Sequence, residues 1–180
     1  HISIVCNFTK PMGDEPALLR FNEVTTLLHE FGHALHGLMS NCQYESTGGT
    51  NVYWDFVELP SQIMENWAFE KECLDLFAKH VKTGELMPVD LVEAVKKSQK
   101  YHEGRNTVRQ VSFALLDMAY HNHQDPDKLT SVPELEDAVM DKLDVFPKTT
   151  DTNMSVSFGH IFNGGYSAGY YSYKWAEVLD

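Results

Sequence analysis

Apolar residues at Leu18, Phe21, Val24, Leu27, Leu28, Phe31, Leu35 and Leu38 follow one another at intervals of three and four, the period of a helix that buries one side. The spacing predicts a long helix over 17–40, closed by the polar pair Ser40 and Asn41. Ahead of it, residues 2–8 are rich in β-branched and apolar types and run into a loop holding Pro11, Gly13 and Pro16, which predicts a strand. Behind it, Ser46 to Thr50 with Gly48 and Gly49 mark a loop within 43–54, flanked by short extended pieces. Asp55 followed three residues later by Glu58 resembles a capping box, and Pro60 suits a first helical turn, so a second helix is expected from 55 to about 79. Helical spacing returns over 88–102, 107–123 and 133–143, separated by Gly, Pro or Asp-rich turns. Gly159, Gly164 and Gly165 then mark a loop, and an aromatic-rich helix is expected from about Ala168 onward. The pattern as a whole predicts a mostly α fold with a small β element, one domain covering 1–180.

Composition narrows the function classes. With 180 residues, 43% hydrophobic and 12% aromatic, the chain can bury a substantial core. Its 14 Lys and Arg against 26 Asp and Glu give a formal charge of −12, which repels a phosphate backbone and disfavours nucleic acid as a partner. A basic or neutral peptide suits this field better. No run approaches the roughly 18 apolar residues of a membrane span, so no membrane role is expected. Cys6, Cys42 and Cys73 are odd in number and widely spaced, the usage of free thiols in a reducing compartment, and a cytoplasmic location is the expectation. A chain that starts at His1 and stops at Asp180 just after an amphipathic run is expected to be a piece of a longer protein, whose leader would lie outside it.

The chemistry concentrates in His29-Glu30-Phe31-Gly32-His33. Residues four apart share a helix face, so both imidazoles can reach one ion while Glu30 points beside it, the arrangement of a zinc peptidase. Catalytic zinc takes three protein ligands and leaves a position for water. Met39 occupies the place where a third histidine of the extended motif would stand, so the candidates are Glu45, Asp55, Glu58 and Glu65. Glu45 follows the helix too soon for an easy reversal, and Asp55 is better used as a cap. Glu58, at the start of the next helix, can fold back beside the histidines. Glu65 and Asp55 are then candidate acceptors for the imidazole N–H groups. His36, two turns beyond His29, is too far along the axis to ligate the same ion and is read as a hydrogen-bonded or pocket-lining residue. His121 and His123, near Asp125 and Asp127, read as solvated charge at a helix end.

Tyr166, Tyr170, Tyr171 and Tyr173 fall within eight residues. Tyr171 and Trp175, four apart, fit aromatic core packing. Tyr166, Tyr170 and Tyr173, at spacings of four and three, place a row of phenols on one helix edge behind the glycine loop. A neutral phenol can donate to a developing oxyanion without changing net charge, and His160 can donate similarly. Tyr166 and Tyr173 are favoured for that role, whereas Tyr170 divides evenly between it and the core.

HEFGH at 29–33, DFVELPSQIMENW at 55–67 and FGHIFNGGYSAGYYSYKW at 158–175 together resemble the thimet oligopeptidase family of zinc metallopeptidases over essentially the whole chain. Within it, NFTKP at 7–11, STGGTN at 46–51 and ALLDM at 114–118 look most like the bacterial peptidyl-dipeptidase branch, with the oligopeptidase A branch a near competitor. The six residues from His160 to Tyr166 also match those bacterial branches. The resemblance implies Zn2+ held by His29, His33 and Glu58, Glu30 as general base, and His160, Tyr166 and Tyr173 as transition-state donors. It further implies a much longer protein that hydrolyses oligopeptides, releasing C-terminal dipeptides in the first branch or cutting internally in the second. Arg105 and Arg109 are available to hold a substrate carboxylate, although nothing in the sequence ties them to the site. A noncatalytic zinc-stabilised binding domain is the alternative from another class. Oligomeric state is not legible.

Overall fold

The computed structural model describes residues 1–122 and 131–180. The chain divides into two compact units, one of His1–Tyr101 with Leu179–Asp180, the other of His102–Val178. It is mostly helical, as the periodicity predicts.

In the first unit, α1 (Phe21–Leu38) starts four residues later than predicted. Its start is fixed by the Glu23 carboxylate, which accepts from the Arg20 N–H at 2.7 Å and from the Thr9 N–H and hydroxyl, each at 2.7 Å. These bonds hold the Glu23 carboxyl below its ordinary pKa. The predicted strand over 2–8 does not form, because a strand needs a partner and no segment among the described residues pairs with it. The segment instead lies along α1: the Ile2 side chain covers Gly37, Cys6 sits in the field of Glu30, and Thr9 binds Glu23. About seven extended steps of roughly 3.3 Å match about fourteen helical steps of 1.5 Å, so the two run in register. Among the described residues, β structure is limited to a bridge between Lys79 and Leu86.

The helix expected over 55–79 is divided. α2 (Trp54–Val57) ends at Glu58, α3 (Leu59–Glu65) begins directly after it with Pro60 in its first turn, a 3-10 turn covers Asn66–Phe69, and α4 (Lys71–Phe77) follows. The Asp55 capping box is absent: Tyr53 precedes the first turn, and the Glu58 carboxylate turns toward α1 instead of back to residue 55. α5 (Val89–Gln99) closes the unit. Its buried apolar residues include Ala34, Val57, Ala68, Leu74 and Val92. α1 packs chiefly on α3, through a face that includes Gly32, while Leu27, Phe31 and Leu38 of its apolar pattern stay exposed.

In the second unit, α6 (Glu103–His121) begins four residues earlier than predicted, and α7 (Val132–Met140) is capped by the Ser131 hydroxyl, which accepts from the Glu134 N–H at 3.2 Å. The expected end of the helix over 107–123, with His123, Asp125 and Asp127, lies outside the described residues. Phe113, Leu116, Phe158, Ile161 and Tyr170 form the core, with Tyr120, Val139, Tyr166 and Tyr173 packed against it. α8 (Gly159–Phe162) precedes the glycine loop. The final helix, α9 (Ser172–Leu179), starts at 172 and not at 168, because Ala168 is left-handed at φ 56° and interrupts the helical path.

Candidate metal centre

α1 and α3 approach closely at one glycine. A Cβ on Gly32 would lie 2.4 Å from the Pro60 carbonyl oxygen and 2.6 Å from the Ser61 Cα. Any larger residue would therefore push the helices apart. Gly32 stands between His29 and His33, and Pro60 and Ser61 follow Glu58 by two and three residues, so this approach delivers the carboxylate to the two imidazoles. His29 Nε2 is 3.2 Å and His33 Nε2 is 3.3 Å from the same Glu58 Oε2. Their ligand atoms all lie within 4.8 Å of one another, and among the described residues this is the one trio of His, Cys, Asp or Glu so arranged.

The trio fits a divalent ion. Bonds of about 2.0 to 2.1 Å in tetrahedral geometry separate neighbouring ligand atoms by about 3.3 Å, the spacing found between Glu58 Oε2 and each imidazole nitrogen. One carboxylate and two imidazoles are the donor set of an open zinc site, whereas closed structural sites take four Cys or His ligands. Glu58 is 1% exposed, and its carboxylate oxygen also accepts from the buried Ser61 hydroxyl at 2.9 Å, which fixes the side chain before an ion arrives. Glu65 Oε1 is 2.7 Å from His29 Nδ1, so the expected outer acceptor is in place for that ring. Asp55 plays no such part for either histidine. His33 Nδ1 is buried and has no hydrogen-bond partner among the described residues.

Electrostatics follow from this packing. Burial opposes charge on His29, yet the hydrogen bonds and negative charges of Glu58 and Glu65 outweigh it and push its pKa up to about 9. A proton on the imidazole stands in for the cation that two carboxylates demand. Glu30, next to His29 on α1, is half-buried. His36 lines a separate apolar cavity of about 450 Å³ with Leu35, Met39, Val52, Pro60 and Met64. Its Nδ1 is buried without a hydrogen-bond partner among the described residues, and burial followed by the neighbouring His33 charge lowers its pKa. Of the two roles expected of His36, the pocket-lining one matches this placement and the hydrogen-bonded one is not met at Nδ1.

In the second unit, His160, Tyr166, Tyr170 and Tyr173 come together, though not as a row on one helix. The Tyr166 and Tyr173 rings stack at 5.2 Å, and His160 lies 6.0, 5.7 and 6.1 Å from Tyr166, Tyr170 and Tyr173. Tyr170 belongs to the core: it is 8% exposed, burial raises its pKa, and its hydroxyl donates to Gln110 Oε1 at 3.1 Å. Tyr171 and Trp175, expected in the core, are instead exposed at 43% and 49%, because the later helix start turns their face outward. Arg105 and Arg109 lie over the Phe146 and Phe113 rings at 5.5 and 4.6 Å. His121 pairs with the buried Asp117 carboxylate at 2.8 Å, a tighter partnership than solvated helix-end charge. Sequence reasoning missed Gly32, Ser61 and Asp117 as supports. Gly32 alone carried a signal, since a glycine inside a helix needs a packing reason.

The model of peptidase family M3 matches residues 1–180. The chain is 44% identical to an Arabidopsis thaliana protein named probable cytosolic oligopeptidase A, covering 98% of this chain and 25% of that one. It is 43% identical to the dipeptidyl carboxypeptidase of Salmonella typhimurium, covering 97% of this chain and 26% of the relative. Oligopeptidase A of Escherichia coli is 40% identical over 98% of this chain and 26% of its own length. The chain thus spans about a quarter of the length of these relatives.

Proposed function

The chain belongs to peptidase family M3, and from that premise we propose that it carries the zinc site of a peptidase that releases C-terminal dipeptides from oligopeptides. The observation that supports this reading above all is the convergence of His29 Nε2 and His33 Nε2 on one Glu58 oxygen at 3.2 and 3.3 Å. His29, His33 and Glu58 hold the ion; when bound, Zn2+ acidifies water and polarises the scissile carbonyl. Glu30 accepts the proton of the attacking water and passes it to the leaving amine. Tyr166, Tyr173 and His160 donate hydrogen bonds to the oxygen on which negative charge develops. Glu65 holds the His29 ring, and Ser61 holds the Glu58 carboxylate.

Endopeptidase action on short peptides is the second reading, supported by the relatives named oligopeptidase A at 44% and 40% identity. A noncatalytic zinc-stabilised domain fits less well, because three protein ligands leave a position open. The three cysteines are free, and no described helix is long and apolar enough to cross a membrane. We place the protein in the cytoplasm on the cysteine usage.

The deciding experiment loads the full-length polypeptide with Zn2+ and compares it with its Glu30→Gln variant. Metal content should be equal and turnover should fall by at least about 10². Retention of most turnover by the variant defeats the mechanism. One peptide with a free and with an amidated C-terminus then separates the readings: equal cleavage of both rejects dipeptide release and favours internal cutting.

A further inference from the structure

We propose that Asp117 is the positioning residue for the tyrosine donors, a clamp that acts through the backbone of the 166–170 turn. This inference rests on the role assigned above to Tyr166 and Tyr173. Asp117 lies on α6 and is fully buried. Its two carboxylate oxygens are divided between two backbone donors more than fifty residues away: the Ala168 N–H reaches Oδ1 at 2.8 Å and the Tyr170 N–H reaches Oδ2 at 2.9 Å. His121, one turn along α6, adds its Nδ1 at 2.8 Å. A buried carboxylate is costly unless it is fully hydrogen-bonded, and here its bonds go to the turn that carries the phenols.

The turn needs such a hold. Ala168 is left-handed at φ 56°, a conformation disfavoured for a residue with a Cβ. At its other end the turn is tied to α8, where the Tyr166 N–H donates to the His160 carbonyl at 2.9 Å and the Ser167 hydroxyl donates to the Ile161 carbonyl at 2.5 Å. Asp117 holds the opposite end, beside the backbone bonds from the Gly169 N–H to the Tyr166 carbonyl at 2.8 Å and from the Ser172 N–H to the Gly169 carbonyl at 3.1 Å. With Ala168 and Tyr170 pinned, the Tyr166 ring lies against Tyr173, and Tyr170 packs on Tyr173 at 5.1 Å. Released, the turn would relax toward ordinary helix, the register in which the three phenols form a row on one edge instead of this stack.

The test uses the metal-loaded, full-length polypeptide and the variants Asp117→Asn and Asp117→Ala. Asparagine keeps one acceptor but faces the second N–H with an amide donor, so Asp117→Asn should lose hydrogen-exchange protection at one of Ala168 and Tyr170 and Asp117→Ala at both. kcat should fall about 10- to 100-fold, KM should stay within about twofold, and metal content should not change. In a Tyr166→Phe, Tyr173→Phe background, adding Asp117→Asn should cost less than about threefold, since the clamp then has nothing to position. A multiplicative loss in that background overturns the proposal and assigns Asp117 a general structural role. Unchanged kcat in the Asp117 variants, with the tyrosine variants slow, overturns it alone. If the tyrosine variants keep full kcat, the donor role fails first and the clamp proposal falls with it, while preserved exchange protection would reject the clamp irrespective of kinetics.

Discussion

Gly32 of α1 meets Pro60 of α3 so closely that an added Cβ would lie 2.4 Å from the Pro60 carbonyl oxygen. Backbone, not a flexible side chain, is what it would strike. Gly32→Ala should therefore separate the helices, costing about 1 to 3 kcal/mol of stability as overpacking does, and should withdraw Glu58 from the histidines. Zn2+ affinity should fall at least tenfold even though no ligand is altered. Competition against a chelator of known affinity reads this directly. An unchanged affinity would mean that the close approach does not set the ligand geometry.

Glu65 makes a graded prediction. Its carboxylate, 2.7 Å from His29 Nδ1, sets the ring so that Nε2 faces Glu58. Losing such an outer partner typically costs 10- to 100-fold in metal affinity. Glu65→Ala should fall in that range, and Glu65→Gln, which retains one acceptor oxygen, should lose less. Equal losses would show that the charge, and not the hydrogen bond, is what matters to the ion.

The raised pKa of His29, about 9, gives metal uptake a measurable pH dependence. Below that value the metal-free imidazole carries a proton which the ion must displace, so affinity should fall about tenfold for each pH unit below 9. At pH 8 an ordinary histidine would already be neutral and release almost nothing, whereas His29 should release close to one proton per Zn2+ bound. Titration with Zn2+ in weakly buffered solution containing a pH indicator counts it. The same shift links to stability in the metal-free protein. The folded pKa lies above the unfolded one, so the His29 contribution is complete below about pH 6.5 and is lost as pH rises toward 9.

What the sequence made legible was local. His29 and His33 share a helix face by covalent geometry alone, and the helix that carries them follows from its apolar spacing. Placing Glu58 beside them needed an argument about loop length, and the structure brings its oxygen to both rings. The losses were non-local. Residues 2–8 have strand composition, but pairing depends on a second segment, and none among the described residues supplies it, so they lie along α1. Tyr166, Tyr170 and Tyr173 are spaced for one helix edge, yet Asp117 captures the Ala168 and Tyr170 N–H groups and diverts the backbone. Nothing in the spacing of an aspartate on α6 announces a partner fifty residues on.

A second buried carboxylate yields the last prediction. Glu136 on α7 is 2% exposed and accepts from the Met154 and Ser155 N–H groups, each at 2.8 Å, and from the Ser155 hydroxyl at 2.6 Å. Burial works to raise its pKa, but these bonds and the Lys148 charge prevail and hold it below the ordinary value. A depressed carboxylate stabilises the fold above its unfolded pKa, near 4.5, and loses that contribution as pH falls through the folded value. Glu136→Gln, which presents an amide donor to one of the two N–H groups, should destabilise the segment by about 2 to 3 kcal/mol at pH 7. Faster hydrogen exchange at Ser155 should report the change. The difference from the native chain should shrink as pH falls through the folded value, where the native carboxyl also takes up a proton. A gap that stays constant even where the native carboxyl has taken up its proton would show that shape, and not ionisation, is what Glu136 contributes.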